Sequence, residues 1–65
     1  MLHVRVEPET EAHEMHGVRT VRKLLNVLNL RETDALVIRG DELLTSDRHL
    51  DNGDEILVRP VRSRG

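Results

Sequence analysis

The chain has no cysteine and no phenylalanine, tyrosine or tryptophan in its 65 residues. Without cysteine there is no disulfide to staple the fold and no thiolate to serve as nucleophile or metal ligand. Without aromatic rings, the core must be assembled from Val, Leu, Ile, Met and Ala. Base stacking on aromatic side chains, the usual grip on single-stranded nucleic acid, is also excluded. No apolar run approaches the roughly 18–20 residues of a membrane-spanning helix, and no basic-then-apolar stretch at the start suggests a secretory signal. A cytoplasmic location, open to a reducing environment, is the expectation. The formal net charge of −2 argues against a general nucleic-acid binder.

The charge that is present is unevenly placed. Four glutamates lie between Glu7 and Glu14, whereas from Ile56 onward there are three arginines and no acidic side chain. The length indicates one small domain. A chain this short buries only about 60% of its unfolded surface, so each buried side chain matters.

Leu2 to Glu7 alternates apolar and polar residues, which predicts a half-buried strand with Leu2, Val4 and Val6 facing inward. Pro8-Glu9-Thr10 reads as a turn. Glu11 to Met15 reads as a polar edge strand with Ala12 and Met15 partly buried, a short helical turn being the alternative. Val21, Leu24, Leu25 and Leu28 recur at i, i+3, i+4 and i+7, one face of a helix. The Thr20 hydroxyl can cap its N-terminus, and Asn29 suits its C-terminal end. Leu30 is expected to tuck under that end, followed by a loop over Arg31 to Asp34. Ala35 to Arg39 is a continuous apolar run, predicted to be a central strand covered on both faces. Gly40-Asp41 makes a hairpin turn into a short return strand, Glu42 to Leu44. Leu50 is predicted to plug the core before the turn at Asn52-Gly53. Ile56 to Val58 is then a final buried strand, and Pro60, lacking an N–H, is expected to stop its pairing.

The order β, β, α, β, β, β allows the first and last strands to lie parallel and adjacent with one helix across a mixed sheet. This is an α+β architecture of four to five strands, and a β-grasp topology satisfies it. The expected organisation is a single domain, 1–65, with residues 60–65 as an extended flexible C-terminal tail.

Thr20-Val21 with Leu24-Leu25, Ile38-Arg39-Gly40-Asp41, Asn52-Gly53-Asp54-Glu55-Ile56 and Pro60-Val61-Arg62-Ser63-Arg64-Gly65 together resemble the ThiS/MoaD-type sulfur carriers, which are ubiquitin-like proteins. The resemblance spans nearly the whole chain and is weakest from Pro8 to Gly17. It implies that an E1-like enzyme uses ATP to adenylate the Gly65 carboxylate. The acyl-adenylate then becomes a thiocarboxylate, or is attacked in ubiquitin-like conjugation. The implied partners are that enzyme and a sulfur-accepting synthase or sulfurtransferase, in thiamine biosynthesis, molybdenum cofactor biosynthesis or tRNA thiolation. No cofactor or metal is expected on the carrier, which is not itself an enzyme. Leu57, Arg59, Pro60 and Val61 are expected to dock on the partner, while Arg62, Ser63 and Arg64 thread its site. Glycine suits such a tail because it has no Cβ.

The sequence departs from the family pattern at Arg64, where a penultimate glycine is usual. A wider or acidic partner channel, a subgroup with another partner, and a fold kept after loss of the carrier role each account for it. The second functional class is therefore a non-catalytic binding module for protein or RNA, using the arginine-bearing face.

Three further features have plainer readings. His13, Glu14 and His16, with His3, could suggest a metal site, but on a strand His13 and His16 would face opposite ways, and solvated histidines suffice. Arg39-Gly40-Asp41 spells an integrin-recognition tripeptide, yet turn chemistry explains each residue. Arg59, Arg62 and Arg64 read either as a docking handle for an acidic groove or as a solubilising tail.

Overall fold

The computed structural model describes residues 1–61. It is a five-stranded mixed sheet with one short helix, an α+β fold. The strands are β1 (Leu2–Val6), β2 (His13–Met15), β3 (Ala35–Arg39), β4 (Glu42–Leu44) and β5 (Glu55–Pro60), and the helix α1 covers Val21–Val27. Across the sheet the order is β2-β1-β5-β3-β4. The last strand is thus the central one. It runs parallel to β1, with Val4 opposite Ile56 and Val6 opposite Val58. It runs antiparallel to β3, with Val37 opposite Val58.

The period-two pattern of β1 buries Leu2 and Val4, and Val6 packs half-buried at their edge. Cross-strand partners share a face, so Leu2, Val4, Ile56, Val58, Val37 and Leu44 form one apolar layer. Val21, Leu24 and Leu25 of α1 cover that layer, with Val18 and Leu50 closing its end. Among the described residues no buried side-chain nitrogen or oxygen lacks a hydrogen-bond partner.

Both ends of α1 follow from local chemistry. The Thr20 hydroxyl accepts from the Lys23 N–H at 3.1 Å, satisfying one of the orphan donors of the first turn. The helix ends at Val27 with Leu28 as its C-terminal cap, and Asn29 adopts φ 59°, the left-handed conformation in which asparagine is tolerated better than most residues. The chain then reverses so that the Leu30 N–H donates to the Leu25 carbonyl at 2.8 Å. Thr20→Ala is expected to cost about 1 kcal/mol, read as a lowered urea midpoint with an unchanged slope. Retention of the wild-type midpoint would show that the cap contributes nothing.

Three expectations are corrected. Ala35 to Arg39 is not covered on both faces. Ala35 and Val37 are buried, but Leu36 is 37% exposed and Ile38 half-buried. The run is continuously apolar, yet a single helix can cover only one side of the sheet. Ala12 is exposed, because β2 begins only at His13; His16 likewise lies outside that strand. Pro60 does not stop pairing. It lies opposite Ala35, and the next N–H, that of Val61, donates to the Asp34 carbonyl at 2.8 Å. That bond makes Val61 and Asp34 a hydrogen-bonded pair, so Pro60 and Ala35 occupy the alternate, non-bonded position. The nitrogen of Pro60 therefore points away from β3, and the ladder loses no bond.

Candidate functional site

The side of the sheet away from α1 is open. The register assigns its occupants: Arg5 opposite Leu57, Leu57 opposite Ile38, Ile38 opposite Leu43, and Arg59 opposite Leu36. Leu57 and Ile38 are half-buried, while Leu36 and Leu43 are well exposed, Leu43 at 57%. A shallow depression of about 330 Å³ lies here, lined by His3, Arg5, Ile38, Glu55 and Leu57 among others. Val61, 41% exposed, continues the line of Leu57 and Arg59 past the end of β5. Of the five exposed large apolar side chains among the described residues, three (Leu36, Leu43 and Val61) are on or beside this surface. That is more clustering than scattered surface apolarity needs.

Of the predicted docking residues, Leu57, Arg59 and Val61 thus come together. Pro60 is exposed but belongs to the alternate position, on the parity of Ala35. Arg62, Ser63, Arg64 and Gly65 lie outside the described residues.

The guanidinium of Arg59 is already engaged. Its Nε donates to Glu7 Oε1 at 2.7 Å. The hydrogen bond holds the Glu7 carboxyl below its usual range, with the Arg59 and Arg5 charges acting the same way. Glu7 was not expected in the site. The alternation of β1 puts Arg5 and Glu7 on one side, but only the parallel register with β5 brings Glu7 beside Arg59. Leu36 and Ile38 were missed because their strand was expected to be covered on both faces.

At the opposite end of β5, Arg39 ties the loops together. Its Nη1 donates to Asp54 Oδ2 at 2.9 Å, and Nη2 lies 3.5 Å from Glu42. The Arg39-Gly40-Asp41 stretch is accordingly a strand end and a turn, with Gly40 at φ 63°. Such a turn, with positive φ at its first central residue, calls for glycine. Asp54 also accepts from the Asp51 N–H at 2.8 Å. That backbone bond first, and Arg39 second, hold the Asp54 carboxyl below its ordinary value. A depressed folded pKa contributes stability that is fully present above the unfolded value of about 3.9 and is lost as pH falls through the folded one. Wild-type protein is therefore expected to lose stability in urea as pH drops below about 4. Asp54→Asn should lose less over the same interval, and parallel pH profiles would remove Asp54 from the account.

Among the described residues no group of three or more His, Asp or Glu side chains is placed to hold a metal ion. No helix among the described residues is long and apolar enough to cross a membrane. No protein-family model matches the chain, and no curated protein matches it.

Proposed function

We propose that the chain is a β-grasp sulfur carrier of the ThiS/MoaD type, working in the cytoplasm, whose Gly65 carboxylate is activated by a partner enzyme. One observation carries the reading. The central strand of the sheet, β5, runs out of the core to an exposed end at Pro60-Val61, only four residues short of Gly65. The parallel β1–β5 pair and the single helix over one face accord with a β-grasp topology. Four residues beyond Val61 give a short reach from the strand end to a partner's site.

In this reading the chain supplies a carboxylate and the partner supplies the chemistry. A Gly65 carboxylate oxygen attacks the α-phosphorus of ATP, pyrophosphate leaves, and an acyl-adenylate forms. Sulfur at the oxidation level of sulfide then attacks the carbonyl carbon and AMP leaves, giving the thiocarboxylate. Meanwhile the open face holds the two proteins together through Leu57 and its apolar neighbours, with Arg59 at their edge. Arg64 sits next to the reacting carbon, so the matching enzyme has a channel with room and acidic lining at that position.

Arg64 itself favours a second reading, a non-catalytic β-grasp module that binds protein or RNA through the open face. The test is the intact mass of the protein after incubation with ATP, its adenylating enzyme and a sulfur source. A gain equal to exchanging one oxygen for sulfur, localised to Gly65, is the expected result. An unchanged mass, with modification recovered only in Arg64→Gly, would move the assignment to the binding module.

A further inference from the structure

The turn at Asn52-Gly53 carries a reactivity that the fold does not use. A side-chain amide is open to attack by the next backbone nitrogen in the chain, and most so before glycine, which has no Cβ to shield that nitrogen. The other two asparagines, Asn26 and Asn29, precede Val27 and Leu30. Asn52 and Gly53 are both exposed, so water and base reach them. The turn itself demands the glycine. The Asp54 N–H donates to the Asp51 carbonyl at 3.1 Å, which closes a β-turn with Asn52 and Gly53 at its centre. Gly53 has φ 91°, whereas the φ of Asn52 is not positive. Positive φ at the second central residue alone is the signature of a type II turn.

Three restraints keep the two reacting groups apart. The Gly53 N–H donates to the Met1 carbonyl at 2.6 Å. The Met1 nitrogen donates to Asn52 Oδ1. The nucleophile and the amide it would attack are thus both tied to the residue immediately before β1. The turn class adds the third restraint, a ψ of about +120° at its first central residue. Ring closure needs the Gly53 nitrogen swung into line with the Asn52 Cβ, far from that ψ.

We infer that Asn52 is a deamidation site latched by Met1, and that its conversion to isoaspartate loosens the junction of β1 with β5. The Gly53 nitrogen, after losing its proton to base, bonds to the Asn52 Cγ. The bond from Cγ to Nδ2 breaks, and that nitrogen takes a proton from water and leaves as ammonia. The five-membered imide then takes up one water at either carbonyl carbon and opens to aspartate or isoaspartate. Nothing is oxidised or reduced, and water is the only co-reactant. Aspartate leaves the main chain as it was. Isoaspartate routes it through Cβ and Cγ, one methylene longer between Asp51 and Gly53. Two bonds span that interval, Asp54 N–H to the Asp51 carbonyl and Asp51 N–H to Asp54 Oδ2 at 2.8 Å. The lengthened turn cannot keep both. The next bond along, from the His3 N–H to the Asp54 carbonyl at 3.0 Å, starts the parallel pairing of β1 with β5. The inference is independent of the function proposed above.

Folded wild-type protein is aged at mildly alkaline pH beside the same protein in guanidinium chloride. Conversion of amide to acid at each asparagine is read by peptide mass spectrometry. In denaturant, Asn52 should convert well ahead of Asn26 and Asn29; equal rates would overturn the site. In the folded protein, Asn52 should convert more slowly by about tenfold or more, because only the opened fraction reacts. A folded rate matching the denatured one overturns the latch. Deleting Met1 should restore much of the lost rate, and an unchanged rate would remove Met1 from the account. Because that deletion can also weaken the fold, hydrogen exchange of the Gly53 amide in wild type gives the deciding measurement. Slowed exchange supports the latch, and exchange as fast as that of an unbonded surface amide overturns it. Finally, the isoaspartyl form is separated by charge from the aged sample and compared with Asn52→Asp. Exchange protection of the His3 amide should be lost in the first and kept in the second. Protection kept in both would overturn the loosening of the junction.

Discussion

Removing Gly65 abolishes acceptance of the adenylate while leaving the urea unfolding curve unchanged. This is the largest functional effect the carrier reading demands. The new terminal carboxylate would belong to Arg64, one residue nearer the folded body, and its α-carbon would carry a long charged side chain. An extended chain spans at most about 3.3–3.6 Å per residue, so the reacting carbon falls short by that length. A misplacement of about 1 Å can already cost roughly a hundredfold in rate. Adding one alanine after Gly65 should be as damaging, because the carboxylate then overshoots. Neither change alters a residue of β5 or the bond from the Val61 N–H to the Asp34 carbonyl, so the urea unfolding curve serves as the control for folding. Intact-mass analysis of adenylate or thiocarboxylate formation reads the effect. A truncated chain that is still modified at its end would eliminate the carrier reading.

The second large effect is on stability. Leu24→Ala is expected to leave a protein that is barely folded. Leu24 has no exposed surface and belongs to the same buried core as Leu2, Val4 and Val58. Truncating a buried leucine costs about 3 kcal/mol, from lost transfer energy plus the cavity left behind. A domain of this size holds about 3–10 kcal/mol in all. Val27→Ala, on the same helix but 53% exposed, should stay within about 0.5 kcal/mol of wild type. The pair isolates burial from helix propensity. With no aromatic residue in the chain to fluoresce, far-ultraviolet circular dichroism in urea is the natural readout. A Leu24→Ala cost below about 1 kcal/mol would mean that α1 is not packed as described.

Much of this fold can be read from residue order. Leu2 and Val4 at period two, and Val21, Leu24 and Leu25 at helical spacing, identify the two sides of the core without any structure. Thr20, Asn29, Gly40 and Gly53 mark where elements begin and end because their conformational preferences are local. Coverage of a face is not local. Ala35 to Arg39 has the same apolar character at every position, and whether Leu36 meets a helix or water depends on how many helices the chain contains. The Glu7–Arg59 pair was equally hidden. It joins residues 52 apart, and no period or motif states the register of β1 on β5. Leu57, Arg59 and Val61 were legible because they alternate along one strand. Their partners across the sheet were not.

The proline at position 60 has a bearing on self-association. β1 pairs with β5 only as far as Val58, so one flank of the central strand is uncovered beyond that point. A bare strand flank is a template on which another copy can add its own backbone. The group that would extend the ladder there is the N–H of residue 60, which points toward the uncovered side. Proline has none to offer. The strand can thus project past its neighbour without becoming a seed for sheet-to-sheet aggregation.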